Sequence, residues 1–145
     1  MTTDVTKKRI RMQKIALIYV DLPDCDKQAD LAELEGLCAT AEAKIVLTAE
    51  QKRNSVDPQS VIGIGKIDEI KASIAMFDDT DDEIDLVLFN VNLSAPQRAT
   101  LEKSLDKPEI DRIDLILDIF AMRAATAEGK TQVELAQLSY NIATR

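Results

Sequence analysis

The chain has 145 residues, enough for one domain with its own core, and 46% of them are apolar while only 3% are aromatic. This aliphatic composition favours helices packed on a short sheet over an all-β sandwich. The net charge of −8 argues against a protein that coats nucleic acid with its whole surface, and the absence of histidine excludes a histidine-based triad or a His-ligated zinc site.

The charge is distributed unevenly along the chain. Residues 1–14 carry a net charge of +4, residues 15–93 carry −11 and residues 94–145 carry −1. We expect residues 1–13 to form a basic, disordered leader, although its lysines and arginines could also touch phosphates. The acidic middle leaves room only for an RNA contact confined to one part of the surface.

No targeting or membrane segment is visible. The chain has no run of about 18 apolar residues and no apolar segment of the kind found in secretory signals. Its two cysteines, Cys25 and Cys38, do not define a disulfide framework and fit a reducing compartment. We therefore expect a cytoplasmic protein without a membrane span.

Apolar runs bounded by turn residues predict four strands, at residues 15–20, 43–47, 85–91 and 108–112. Helical spacing of apolar residues predicts helices from Asp30, from Lys66 to Phe77, after Ser94 to about Leu105, and from residue 113 onward. Asp30 with Glu33, and Ser94 with Gln97, match the capping box of a helix start. Residues 48–61 are expected to form a long loop.

Alternation of strands and helices predicts an α/β fold with right-handed crossovers. We expect a small four-stranded parallel sheet flanked by helices over residues 14–112, followed by a helical hairpin over residues 113–145. A turn at Glu128-Gly129-Lys130 separates the two helices, and Thr131 with Glu134 marks the start of the second. That helix reaches Arg145 without a stop signal, so we expect a truncated helical subdomain whose apolar face would allow a homodimer.

Gly63-Ile64-Gly65-Lys66 is the one segment that invites a phosphate-binding interpretation. Glycines before a helix can expose backbone N–H groups to an anion, and Lys66 adds a positive charge. The segment lacks the hydroxyl residue of a Walker loop and the third glycine of a dinucleotide fingerprint. The alternative is a tight turn with close helix–strand packing that only glycine permits.

The carboxylates do not form a recognisable catalytic or metal site. Residues 78–83 lack the spacing of a calcium loop and are expected to be a solvated connection. Asp111, Asp114 and Asp118 lie near a helix start, where negative charge stabilises the helix dipole. No Ser or Cys lies beside a base in the sequence, so we assign no catalytic residue and no metal ligand.

The chain resembles the N-terminal region of HflX-type ribosome-associated GTPases over most of its length. The strongest matching segments are Ile110-Asp111-Arg112, Leu115–Ala121, Arg123, Glu128-Gly129-Lys130 and Gln132–Leu138. Shorter ordered matches precede them at Gln51-Lys52-Arg53, Asp57-Pro58, Ile62-Gly63, Gly65-Lys66, Leu93-Ser94 and Pro96-Gln97. The acidic loop at residues 78–83 and the turn Asn90-Val91-Asn92 depart from the usual family sequence.

The resemblance implies a non-catalytic region that docks on the large ribosomal subunit and regulates its own GTPase domain. That domain, with GTP and Mg²⁺ as its ligands, is expected in the full-length protein and absent from this chain, which we do not expect to be an enzyme by itself. The RNA-contact candidates are Lys66, Arg112, Arg123 and Lys130, although Arg112 could instead pair with Asp111 or Asp114. The alternative is a small nucleotide- or anion-binding module that uses Gly63, Gly65 and Lys66.

Overall fold

The computed structural model describes residues 12–126. Within that range four strands and four helices alternate along the chain, which confirms the expected α/β class. In chain order they are β1 (Lys14–Asp21), α1 (Lys27–Thr40), β2 (Lys44–Lys52), α2 (Ile64–Ala75), β3 (Leu86–Phe89), α3 (Ala95–Leu105), β4 (Glu109–Ile110) and α4 (Arg112–Thr126).

The four strands form one parallel sheet in the order β2-β1-β3-β4. β1 lies inside the sheet, and its residues 15–20 are fully buried, as the uninterrupted apolar run predicts. The pairing of β1 with β2 shifts after Ile15, which lies opposite Ile45, because Ala16 then lies opposite Leu47. Val46 is therefore the extra residue of a β-bulge.

The sheet has a helical layer on each face. Alternate side chains of β1 point to opposite faces, so Ile18 joins one core and Leu17 joins the other. The first core is completed by apolar side chains of α2 and α3, among them Ile70 and Leu101. The second core is completed by α1 and α4, including Leu34 and Leu115.

The start of α1 differs from the sequence prediction. The helix begins at Lys27, and the side chain of Asp26 caps it by accepting a hydrogen bond from the backbone N–H of Ala29. Asp30 therefore lies inside the first turn, and the predicted capping box of Asp30 with Glu33 is wrong. Asp26 and Asp30 are both possible N-cap residues in the sequence. In the structure Asp26 takes this role, and the side chains of Asp30 and Glu33 bond to other residues.

The long loop predicted for residues 48–61 is shorter in the structure because β2 continues to Lys52. Residues 48–52 read Thr-Ala-Glu-Gln-Lys and, apart from Thr48, have little strand propensity, but they pair with residues 17–21 of β1. Tertiary pairing has overridden local propensity here. The connection that remains contains a bridge between Asp57 and Val61, and the backbone of buried Val61 is left-handed, with φ of 68°.

The capping box of α3 is confirmed. The Ser94 hydroxyl oxygen accepts from the backbone N–H of Gln97 at 3.3 Å, and the Gln97 side-chain oxygen accepts from the backbone N–H of Ser94 at 2.9 Å. Gln97 also donates its side-chain N–H to the carbonyl of Asp57 at 2.9 Å. The start of α3 is thereby tied to the connection after β2.

Several further boundaries differ slightly from the sequence prediction. α2 begins at Ile64 instead of Lys66, and β3 is limited to Leu86–Phe89. The fourth strand is only Glu109–Ile110, and α4 begins at Arg112, immediately after it. Several predictions lie outside the described residues: residues 1–11 of the leader predicted for residues 1–13, the turn at residues 128–130, the second helix and its proposed dimer face. Between residues 12 and 126, no helix is both long and apolar enough to span a membrane.

Candidate functional site

The carboxyl ends of the four parallel strands meet at one edge of the sheet. β1 lies between β2 and β3, so the chain leaves β1 toward one side of the sheet and later returns to its other side. Such a reversal of strand order opens a crevice between the two neighbouring strands, and open α/β sheets bind their ligands there. In this protein the reversal lies between β1 and β3.

A cavity of about 280 Å³ occupies this position. We call it the carboxyl-end crevice. It is lined by Cys25 after β1, by residues of α1, by residues that follow β3, and by the first residue of α4. The full lining is Cys25, Asp30, Glu33, Leu34, Asn90, Val91 and Arg112.

Asn90 joins the two strands at the base of the carboxyl-end crevice. Its side-chain oxygen accepts from the backbone N–H of Val20 at 2.7 Å, and its side-chain nitrogen donates to the carbonyl of Val20 at 3.0 Å. The amide thus replaces two ladder hydrogen bonds at the point where β1 and β3 separate. The base of the crevice is fixed by this contact.

Tyr19 connects the sheet to α1. Its fully buried ring places the hydroxyl 2.7 Å from Oδ2 of Asp30, to which it donates. Burial raises the pKa of Tyr19 above its ordinary value, and the hydrogen bond to Asp30 raises it further. The phenol therefore stays protonated and acts as a permanent donor to Asp30.

Arg112 and Glu33 form a bidentate ion pair between α4 and α1. Nε of Arg112 donates to Oε1 of Glu33 at 3.0 Å, and Nη2 donates to Oε2 at 2.6 Å. The arginine hydrogen bond lowers the pKa of Glu33, and the same contact raises the pKa of Arg112. The expected pairing of Arg112 with Asp111 or Asp114 is wrong because its side chain reaches across to α1.

Arg98 on α3 holds those two aspartates instead. Its Nη2 lies 3.0 Å from Oδ2 of Asp111 and 2.7 Å from Oδ2 of Asp114, and its Nη1 donates to the carbonyl of Glu109 at 2.9 Å. Asp111 and Asp114 also accept from each other's backbone N–H at 3.0 Å. Their predicted role at a helix start is confirmed by this reciprocal cap.

Two other carboxyl groups, one in β4 and one in α4, are buried. Asp118 lies in the middle of α4 and is 5% exposed, and burial raises its pKa to about 6. It is too far along the helix to act as a cap, so the predicted helix-start role is wrong for this residue. Glu109 is 7% exposed and its Oε2 has no hydrogen-bond partner. Burial, together with the nearby charge of Glu102, raises the pKa of Glu109 to about 8.

The glycine segment lies at the start of α2, with Gly63 as the N-cap residue. We call residues 63–66 the glycine turn. The backbone N–H of Gly63 donates to the side chain of Gln51 at 3.0 Å, and Lys66 pairs with Glu69 at 3.2 Å. Neither glycine has positive φ, and an added Cβ at Gly65 would meet no atom within 4 Å.

The expectation that only glycine permits this packing is therefore wrong. An added Cβ on Gly63 would lie 3.5 Å from the nearest side-chain atoms, which is ordinary contact. Neither packing nor backbone conformation requires glycine at these positions. Glycine does leave the first turn of α2 open, and no side chain caps its N–H groups.

The predicted contact residues do not form one patch. Lys66 is on α2, on one face of the sheet, whereas Arg112 and Arg123 are on α4, on the other face. Arg112 and Arg123 share one side of α4 at a separation of about 16 Å along the helix. Lys130 lies outside the described residues. Across residues 12–126, no group of three or more acidic or cysteine side chains could hold a metal ion.

Several residues of the carboxyl-end crevice were missed by the sequence interpretation. Asn90 lies near the end of the strand predicted for residues 85–91 and directly follows β3 in the structure. The rule that ligand sites lie at strand ends could therefore have singled it out. Tyr19 lay within a run that was interpreted only as core. Nothing in the sequence links Glu33 to Arg112, which are 79 residues apart.

Comparison with known proteins gives consistent matches. The family model described as GTP-binding GTPase N-terminal matches residues 28–121. GTPase HflX of Alkalihalophilus pseudofirmus is 41% identical over 137 residues, which are 94% of this chain and 31% of that protein. GTPase HflX of Escherichia coli is 36% identical over 133 residues, 92% of this chain and 30% of that protein.

A solved structure shows the same likeness. A GTP-binding protein from the archaeon Sulfolobus solfataricus, in complex with GDP, aligns with a TM-score of 0.53 and 27% identity over 88% of this chain and 37% of that one. The chain thus spans about a third of the length of the relatives that it matches. The family model and the HflX relatives together show that this chain belongs to the family of GTP-binding GTPase N-terminal domains found in HflX proteins.

Proposed function

We propose that this chain is a non-catalytic region of an HflX-type GTP-binding protein that docks on the large ribosomal subunit and regulates the GTPase domain of the full-length protein. The observation that carries the proposal is the match of residues 28–121 to the N-terminal family model, in a chain that covers only 31% of an HflX relative. GTP, Mg²⁺ and the catalytic groups would belong to the remaining part of such a protein. The protein would work in the cytoplasm, where ribosomes are.

The glycine turn is the best-supported RNA contact on the described surface. The first N–H groups of α2 have no side-chain cap, and a helix N-terminus attracts phosphate. Among the described residues, the cationic partner of Glu69 is Lys66, whose side chain is 20% exposed while that of Glu69 is 67% exposed. A pair with one exposed partner contributes about 0–1 kcal/mol. A phosphate could therefore replace Glu69 as the partner of Lys66 at low cost.

Co-sedimentation of the chain with large ribosomal subunits at low salt tests docking. Lys66→Ala should weaken binding, and Lys71→Ala on the same helix is the matched control because Lys71 lies about one and a half turns beyond the glycine turn. Each neutralised phosphate adds roughly 0.7–0.9 to the slope of the log binding constant against the log salt concentration. If Lys66 neutralises one phosphate, this slope should be smaller by that amount in Lys66→Ala. Equal loss in the two variants would contradict a contact at the glycine turn.

Gly65→Ala separates binding from folding. The added methyl group meets no neighbour, so α2 should become more stable by about 0.5–1 kcal/mol. The same methyl group would cover part of the open first turn, so ribosome binding should weaken. A variant that is more stable and binds subunits equally well would show that the glycine turn does not contact RNA.

Regulation is tested with the full-length HflX-type protein. GTP hydrolysis, measured with saturating large subunits, should change when residues 12–126 are removed or when Arg112 is replaced by alanine. Unchanged rates in both cases would count against a regulatory role. The docking measurement above would be unaffected by that result.

A nucleotide-binding module remains the second candidate, and the open first turn of α2 is the observation in its favour. Titration of the chain with ATP and GTP, against Lys66→Ala, separates the candidates. Saturable micromolar binding that Lys66→Ala abolishes would favour the module. If the chain binds neither ATP nor GTP but still co-sediments with large ribosomal subunits, docking is favoured.

A further inference from the structure

The carboxyl-end crevice has an unbalanced negative charge. Among its lining residues, Asp30 and Glu33 are acidic and Arg112 is basic. Arg112 gives both of its hydrogen bonds to Glu33. Among residues 12–126, Asp30 receives a side-chain hydrogen bond from the neutral phenol of Tyr19, at Oδ2, and no cation bonds to it directly. The charge of Asp30 contributes to the raised pKa of Arg112, but the two side chains share no hydrogen bond. The Oδ1 atom of Asp30 is therefore available to a positively charged donor.

Part of the remaining wall of the crevice is apolar, and Asn90 adds a polar amide to it. Leu34 of α1, Cys25 after β1 and Val91 after β3 line the space beside the carboxylates. A site with an apolar wall and a carboxylate at its end matches a long basic side chain, which packs its methylene groups along the wall and places its charge at the end. The base of the crevice is held by Asn90, so this shape is present before any ligand arrives.

Charge distinguishes this side chain from anionic ligands such as nucleotides. The cavity of about 280 Å³ lies close to the lower limit of the 300–1,000 Å³ that is typical of small-molecule sites, so one side chain fits it and its charge decides which ligand is favoured. A phosphate would have to approach Asp30 and Glu33, and Arg112 is already neutralised by Glu33. A single positive charge would instead balance the crevice.

We propose that the carboxyl-end crevice binds one lysine or arginine side chain presented by a partner protein. The side chain would donate to Oδ1 of Asp30 and add to the network of Glu33 and Arg112. The contact lies on the face of α1 and α4, opposite to the glycine turn, so it goes beyond the proposed RNA contact. It gives the acidic part of the chain a partner of complementary charge.

NMR titration of the chain with Nα-acetyl-lysine amide and Nα-acetyl-arginine amide tests this site directly. Backbone amide signals of Leu34, Asn90 and Val91 should shift and saturate at roughly millimolar probe, the affinity expected of one side chain. Nα-acetyl-norleucine amide, which has the apolar stem without the charge, should leave these signals unchanged.

Asp30→Asn should weaken both charged probes by about tenfold, because a charge-assisted hydrogen bond becomes a neutral one while the asparagine oxygen still accepts from Tyr19. Glu33→Gln, at a position where the side chain is 42% exposed, should weaken them as well. Asp68→Asn on α2 makes the same carboxylate-to-amide change on the other face of the sheet and should have no effect.

Three outcomes would overturn the proposal. They are equal shifts with the norleucine probe, equal weakening by Asp68→Asn, or the same amides shifting with inorganic phosphate and not with the basic probes. The last result would assign the crevice to phosphate, as found on RNA. The titration contains no ribosome, so a negative result would not contradict ribosome docking. Conversely, loss of docking in Lys66→Ala would not contradict binding of a basic side chain in the crevice.

Discussion

Two arginines hold the first turn of α4, and they do so in different surroundings. Arg98 approaches from α3, is 34% exposed and bonds to Asp111, whose side chain is only 6% exposed. Arg112 bonds to Glu33 on α1, and both side chains are more than 40% exposed. Surface ion pairs contribute little to stability, whereas breaking a buried pair leaves a charge without a partner. We therefore expect the buried junction to determine stability and the exposed pair to be adjustable.

The largest effect is expected for Arg98→Ala. Its removal leaves Asp111 buried beside Asp114 and leaves the carbonyl of Glu109 without its side-chain donor. We expect the free energy of unfolding to fall by about 2–4 kcal/mol, measured by urea denaturation at pH 7. A loss below about 1 kcal/mol would remove the contrast between the two arginines.

Glu109→Gln should change how stability depends on pH. The folded pKa of about 8 lies above the ordinary value of 4.5, so the folded protein binds the extra proton and stability rises as pH falls from 8 toward 4.5. Relative to wild type, the variant should gain about 2–4 kcal/mol between pH 5 and pH 8. Parallel stability curves for the two proteins over this range would show that Glu109 is not ionising in a buried site.

Asp118→Asn should act in the same direction at lower pH. Burial raises the folded pKa to about 6 from 3.8, so wild-type stability should rise as pH falls from about 6 toward 4. We expect a difference of about 1–3 kcal/mol between variant and wild type over pH 4–7. Thermal denaturation of both proteins across this range measures it, and a constant difference would contradict the assigned burial.

The smallest effect is expected for Arg112→Ala. The exposed pair with Glu33 should contribute about 0.2–1 kcal/mol and should weaken further in high salt. A double-mutant cycle with Glu33→Gln, at low and high salt, isolates the pair from other losses. A coupling energy as large as the effect of Arg98→Ala would mean that exposure does not distinguish the two arginines.

Prediction from the sequence succeeded where the signal is local. The apolar run at residues 15–20 identified the central strand, and Ser94 with Gln97 identified the start of α3, because these patterns involve neighbouring residues. It failed at Asp30 because two aspartates four residues apart offer equal caps. It also failed at residues 48–52, where pairing with β1 outweighs weak strand propensity.

The candidate sites divide in the same way. The glycine turn was visible in the sequence as a short motif, although the structure changed the interpretation of its glycines. The carboxyl-end crevice was not visible, because its lining comes from four separate segments of the chain. Side chains that lie far apart in sequence are brought together only by the order of strands in the sheet.

By itself, the sequence determined the class of fold, most of the buried strand residues and the likeness to HflX proteins, since periodicity, caps and motifs are properties of adjacent residues. Only the tertiary structure decided that Arg112 pairs with Glu33, that Arg98 holds Asp111 and Asp114, and that Asp30 lines a cavity with no cation bonded to it. The physical reason is that the pairing of a charge depends on distance in space, which strand order and helix packing set and which sequence separation does not.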